Sequence, residues 1–441
     1  MALQFIVQNP SGIGSSDRRI IRSHVMQGKN AGKPRQSTKK KNVTEVLWSD
    51  LCLTSFPQEL DSESTALMHR WFFDISDTLF PPEFCTKFDI IKSIWVNFIQ
   101  ADEAYFHSTL AISASYVDFF QRKSAISSKT LHHISQAYAL VNLKLSGPSS
   151  VSDSAIAAVV SLAIYQQVHH QPATGLIHLH GLYRMIQLRG GIARLMQENR
   201  ALALKPLRLD VELAMQNGTP TLFHLAEVPV YPVLCDPDSR QFPRAAPWMP
   251  LILLDLFSFS SLLNKVETRQ RLRLDPLDYT ETLVSLLYRL TEVSPLRQAF
   301  TNPGLYGDVT YLAMLAFMTT LLPEYTRDGS SCPLLSDRLG SAIQDLFLTA
   351  SGLSDSDLPF LLWILFISGI SVLKLKDYPW LLPLISETCA TLELDNWVAI
   401  GQHLFQFPWI FALHDSPGRH LWETILFLSC GTEAQQVVSM V

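Results

Sequence analysis

The sequence predicts an all-α protein, and three observations carry that prediction. Apolar residues recur at helical spacing from about position 62 to the end. No alternating strand pattern and no hairpin-forming Asn-Gly turn between strands interrupts them. Composition is that of a packed body, with 47% hydrophobic and 17% charged residues in 441.

Charge divides the chain before any helix begins. Positions 1–42 hold nine cations, Arg18, Arg19, Arg22, Lys29, Lys33, Arg35, Lys39, Lys40 and Lys41, against one acid, Asp17. The remaining residues carry 26 basic against 39 acidic side chains. A basic arm over 1–45 is therefore expected, mostly disordered because it is rich in Ser, Gly, Lys and Asn and is broken by Pro34. Arg18–Met26 has the spacing of a short amphipathic piece. A helical body over 46–441 should follow. Net acidity argues against nucleic acid binding across the body's surface, whereas the arm suits a polyanion or an import receptor.

Leu131, Ile134, Tyr138, Val141 and Leu145 mark a helix that Gly147-Pro148 stops. Ser152-Asp153 starts the next, with Ile156, Val159, Val160, Ala163 and Ile164 on one face. A third begins near Thr174, presents Ile177, Leu179, Leu182 and Ile186, and ends at Arg189 before Gly190-Gly191. A cation suits a helix C-terminus and glycine suits its left-handed cap. Seven prolines in 217–250 forbid long elements there, so this stretch is either a surface excursion or a soft boundary between helical layers. Helices resume at 251–263, 277–290, 309–322, 336–348, 358–373, 380–392, 397–407 and 417–428. The apolar run 358–373 is too short to span a bilayer and reads as a buried core helix.

Motifs that would announce chemistry are missing. The six cysteines, at 52, 85, 235, 332, 389 and 430, are too dispersed for a zinc knuckle or a redox pair. Gly28–Pro34 echoes a phosphate loop but has one residue too few between its glycines and Pro where a metal-binding hydroxyl belongs. His169, His170, His178 and His180 cluster in sequence. On a helix, however, His178 and His180 point about 200° apart, so a structural role is expected. His132-His133 reads as a half-exposed helix pair. No nucleophile elbow, zinc-protease or dinucleotide signature occurs, so no enzyme, metal or cofactor is expected. The aromatic runs Trp71-Phe72-Phe73 and Trp397–Trp409 lack the interleaved cations of a base-stacking platform and read as core.

Lys33, Arg35, Lys39, Lys40 and Lys41 fall within nine residues, the density of a nuclear-import cluster. Together with Arg18, Arg19 and Arg22 they could equally contact DNA phosphates without sequence choice. The same arm read blandly is a solvated tail.

Several segments, in order, resemble the fungal-specific transcription factor domain family. They are Phe5–Pro10 with Arg18–Met26, Trp71-Phe72-Phe73 leading to Leu79-Phe80, and Phe106-His107 through Ala114-Ser115. Further on come His178–Gly191 with its Gly-Gly end, Leu361–Ile370, and Trp397 with Phe407 and Trp409. The resemblance implies a large helical-hairpin or superhelical regulatory domain, nuclear residence and control of transcription. Many members add a zinc binuclear cluster of six closely spaced cysteines, which this sequence lacks. The resemblance then implies a regulator acting through a protein partner or its basic arm, with a small-molecule effector as a further ligand and no membrane. Some such members resemble proteins encoded with secondary-metabolite pathways. A helical small-molecule-binding or scaffold protein without DNA contact is the alternative.

Overall fold

The computed structural model describes residues 56–87, 94–120, 127–228, 249–268, 273–298, 304–322, 332–349 and 355–438. Among them the regular elements are helices, and Phe56–Val441 forms one compact unit. A single parallel bridge joins Cys85 to Leu274, with the Leu274 N–H donating to Phe84 O and the Thr86 N–H to Leu274 O, each at 2.9 Å.

Helix α1 (Ser62–Arg70) starts where the Asp61 carboxylate accepts the Ser64 N–H at 2.7 Å. This satisfies one of the orphan donors of the first turn. The chain widens into a π-helical turn, Trp71–Ile75, before α2 (Ser76–Leu79), and Phe72 and Ile75 are buried there. Helices α3 (Ile94–Ala101) and α4 (Glu103–Phe120) follow, and α4 pairs with α5 (Ser128–Leu145) as a hairpin. A second hairpin, α6 (Asp153–Val168) and α7 (Pro172–Arg189), lies against the first through α4 and α6.

Short α8 (Ile192–Glu198) turns the chain into α9 (Arg200–Asn217), which packs on α6, α7 and α8. On its other side α9 meets α11 (Pro276–Val293) and α13 (Pro333–Leu348), while α10 (Met249–Thr268) packs on α11. Helix α12 (Gly304–Thr319) pairs with α13 and with α14 (Leu358–Ser371). Around α14 gather α15 (Leu381–Thr391), α16 (Trp397–Leu404) and α17 (Phe411–Val438). Each pair rests on the next in an array of helical hairpins.

The array follows from helices that are apolar on every side. Phe360–Ser368 of α14 and Val309–Met318 of α12 are buried without interruption. Such helices need neighbours all round. Trp363 stacks on Phe360 with ring centroids 5.4 Å apart, and its indole N–H donates to Pro408 O at 2.8 Å. At 14 residues α14 is about 21 Å long, short of a ~30 Å hydrocarbon layer. No helix among the described residues is long and apolar enough to cross a membrane.

The structure adjusts several sequence expectations. On α5 the buried face is Thr130, His133, Ile134, Ala137 and Val141, while Leu131 and Leu145 are exposed. On α7, Leu179, Leu182 and Ile186 are buried but Ile177 is 69% exposed. Helix α7 begins at Pro172, ahead of Thr174, because proline lacks only a donor that the first turn would not use. Helix α17 begins six residues before Pro417, which lies inside it.

Replacing Trp363 with Ala removes a fully buried indole and its bond to Pro408. Denaturant unfolding should show a loss of about 3–5 kcal/mol. A loss under ~1 kcal/mol would mean that α14 is not the packed centre described.

Candidate functional site

The residues proposed from the sequence for import or phosphate contact, Arg18, Arg19, Arg22, Lys33, Arg35, Lys39, Lys40 and Lys41, lie outside the described residues, as does Gly28–Pro34. The polar chemistry that the structure does place includes four nodes between helices of the body.

The first is a buried imidazole pair. His107 on α4 is 1% exposed and His133 on α5 is 6% exposed, and their Nδ1 atoms are 2.9 Å apart. Neighbouring groups decide who donates. The Gln58 amide nitrogen lies 2.9 Å from Glu103 Oε1, a carboxylate that can only accept, and 3.3 Å from His107 Nε2. His107 Nε2 is therefore the acceptor, and the His107 proton sits on Nδ1 and is donated to His133 Nδ1. That leaves the proton of His133 on Nε2, a buried atom with no partner. Burial, and then the charge of His107, pulls His133 down to about 4; burial also lowers His107, against the pull of Glu103. The expected half-exposed pair is thus split, with His132 facing solvent and His133 facing the core.

The second node is Asp210 on α9, 1% exposed. Its carboxylate accepts the Leu222 N–H at 2.8 and 3.0 Å, the Phe223 N–H at 3.0 Å and the Tyr288 hydroxyl at 2.7 Å. It ties the segment after α9 to both α9 and α11. Burial raises its pKa to about 6, and the hydrogen bonds restrain that rise.

The third node is the end of α7. Gly190 and Gly191 have φ of +114° and +91°, and their N–H groups close on Gln187 O and Ile186 O at 3.0 and 2.9 Å. A side chain at Gly190 would also meet Arg194 Cδ at 2.8 Å. Arg189 does more than face a helix terminus: it pairs with Asp153 at the start of α6 and with Glu198 of α8 at 2.8 Å. Asn199 adds a bond to Asp153 at 2.9 Å. Three helix ends are thereby joined.

The fourth node is His414 in α17, fully buried. Its Nδ1 accepts the Ile410 N–H at 3.0 Å, so its proton lies on Nε2 and points at Thr320 Oγ1, 2.9 Å away. Burial holds this imidazole down to about 3. Beside it the Trp409 indole donates to Asp415 Oδ1 at 2.7 Å.

The four clustered histidines go to separate places. His169 Nε2 bonds Ser115 Oγ at 2.9 Å, His170 turns the chain at φ +54°, and the His178 ring stacks on Tyr138 at 5.9 Å. His180 is exposed. Among the described residues no group of three or more His, Cys, Asp or Glu side chains is placed to hold a metal ion. Burial pushes the Cys85, Cys332 and Cys389 thiols up to about 12, which makes them inert as nucleophiles near neutrality.

Comparison with known proteins gives one finding and two negatives. Residues 75–208, from the π-helical turn into α9, match the family model of the fungal specific transcription factor domain. No curated protein and no solved structure matches the chain. The matched span contains the Phe106–Ser115 and His178–Gly191 segments. The resemblances at 361–370 and 397–409 stand beyond it.

Acid should probe the His414 node. Its pKa falls from the ordinary 6.5 to about 3 on folding, so the stability tied to its neutral form is present above pH 6.5 and lost as pH falls toward 3. Asp210, raised to about 6, has the opposite sign: its contribution is present below its ordinary 3.8 and lost as pH rises through 6. Comparing wild type with His414→Gln cancels the Asp210 term. The stability gap should shrink by about 2 kcal/mol between pH 6.5 and 4.5, measured from denaturation midpoints. A gap that does not change with pH would contradict a buried neutral His414.

Proposed function

We propose, from the membership of residues 75–208 in the fungal specific transcription factor domain family, that this chain is a transcription regulator working in the nucleus. The family is regulatory rather than catalytic, and we read the body as a binding scaffold and not an enzyme. The family match carries this reading, and the buried polar nodes support it. They join helices to each other.

Delivery to genes would rest on a protein partner, on the basic arm, or on both. The 441 residues contain no closely spaced six-cysteine set with which to read a DNA sequence. Arg18, Arg19, Arg22, Lys33, Arg35, Lys39, Lys40 and Lys41 are the residues we assign to import or phosphate contact. Phosphate contact alone would give salt-sensitive affinity and no base preference. The body would then supply the partner surface, with a small-molecule effector as a further ligand. A secondary-metabolite pathway is the gene set that the family resemblance suggests.

Genome-wide chromatin occupancy of the tagged protein tests the regulator reading. Discrete promoter peaks are expected, and a flat profile at good expression would overturn it in favour of a scaffold without DNA contact. Changing Lys39, Lys40 and Lys41 to Ala should move the tagged protein toward the cytoplasm. Unchanged nuclear fluorescence would remove the import role from this cluster.

A further inference from the structure

The imidazole pair lies beneath the strap Phe56–Leu60, which leads into α1. Three contacts hold this strap and the cap that follows it. The Phe56 ring lies 6.2 Å from Phe106, Gln58 reaches Glu103 and His107, and Asp61 meets Lys129 at 3.1 Å. The middle contact, with the Gln58 amide N–H as donor, exists only while His107 Nε2 carries no proton. We propose that His107, His133, Glu103 and Gln58 form a proton-operated latch, in which protonation of His107 at Nε2 exchanges Gln58 for Glu103 and releases the middle of the strap's three contacts.

In the neutral state a single amide nitrogen serves both partners, 2.9 Å from Glu103 Oε1 and 3.3 Å from His107 Nε2. A proton taken from solvent at Nε2 turns that acceptor into a donor, and two donors then face each other. An alternative acceptor is already in place. Glu103 Oε1 is 4.0 Å from the same nitrogen, one helical turn back on α4, and its side chain is 46% exposed, free to swing inward. The new contact is a charge-assisted pair, stronger than the neutral bond that it replaces. Gln58 then loses His107 as an acceptor and competes with it for Glu103.

His133 makes the response single and directed. It accepts the His107 Nδ1 proton, so the site open to a new proton is Nε2, on the Glu103 side. His133 cannot readily take a proton of its own, because that would set N–H against N–H across 2.9 Å. It is a positioning residue. The charged and titratable groups that influence the pair are Glu103 on α4, His132 and Lys129 on α5, and Asp61 before α1. Groups on α3 and α6 are not among them. Glu103 and Asp61 favour the proton, His132 and Lys129 oppose it, and burial places the exchange on the acid side of 6.5.

The test is a nuclear magnetic resonance titration of the full chain from pH 7.5 to 5. It follows the imidazole signals of His107 and the side-chain amide of Gln58, the latter assigned by its loss in Gln58→Ala. The Gln58 amide should move to the position of a solvent-exposed amide in step with His107. Glu103→Gln should lower the His107 midpoint by about half a pH unit or more, since the protonated form loses its carboxylate. Gln58→Ala, at an exposed position that should not disturb folding, should raise it, since the neutral form loses its donor. A merely structural role for this cluster would not move the midpoint in opposite directions. A Gln58 amide that ignores His107, or a midpoint unmoved by Gln58→Ala, would overturn the latch whatever Glu103→Gln does.

Discussion

The structure depends on helices that have no solvent face. In α12 and α14 nearly every side chain of the central turns is buried, and α9 is buried from Leu202 to Met215 except at Lys205. A helix of this kind gains stability only when surrounded, at roughly 25 cal/mol for each Å² of apolar surface removed from water. One partner cannot cover it. The chain meets this demand by laying successive helices and hairpins on each other, so that α9 is enclosed by α6, α7, α8, α11 and α13 and α14 by α12, α15, α16 and α17. The hairpin array is a consequence of this requirement.

Apolar burial alone does not fix which helix meets which, because it is non-directional. The buried polar nodes supply direction. Asp210 accepts from two backbone amides and from Tyr288, which sets the azimuth of α9 against α11. Arg200 pairs with Asp278 and Glu281 along the same seam. Lys144 with Asp102 joins the end of α5 to the start of α4, and Arg189 joins α6, α7 and α8. A wrong register at any of these points would strand a charge or a donor in low dielectric, which costs more than the net worth of the bond itself. Such pairs add specificity more surely than they add stability.

This division explains what could be read from the sequence. The apolar periodicity revealed the helices, and the Gly190-Gly191 end of α7 was legible because only glycine sits easily at φ +114°. The Ser152 cap of α6 was legible for a similar local reason. By contrast, α9 was not singled out. It carries Pro206 and charges at 205, 208, 210 and 212, which break an apolar stripe, yet Arg208 and Glu212 neutralise each other at 2.6 Å and Asp210 is satisfied from outside the helix. The His107–His133 pair was equally hidden, since its members are 26 residues apart and meet only when α4 and α5 form their hairpin. The one available hint was that His133 lies between Thr130 and Ala137 on the face carrying Ile134 and Val141. Local signals expose caps and stripes. Contacts between distant residues require the fold.

The same distinction bears on the span that matches the family model, residues 75–208. That span includes core residues: Phe106 and Ala111 in α4, Leu179 and Leu182 in α7, and the glycines that let α7 end against α8. Stacked hairpins offer surfaces along their length. A small change at one seam, such as the proposed change of partner for Glu103 at the α4–α5 hairpin, would act locally and leave the buried helices beyond it packed. Positions 1–42 of the sequence hold nine cations against one acid and the rest hold 26 basic against 39 acidic side chains, so attraction for polyanions is concentrated at one end of the sequence.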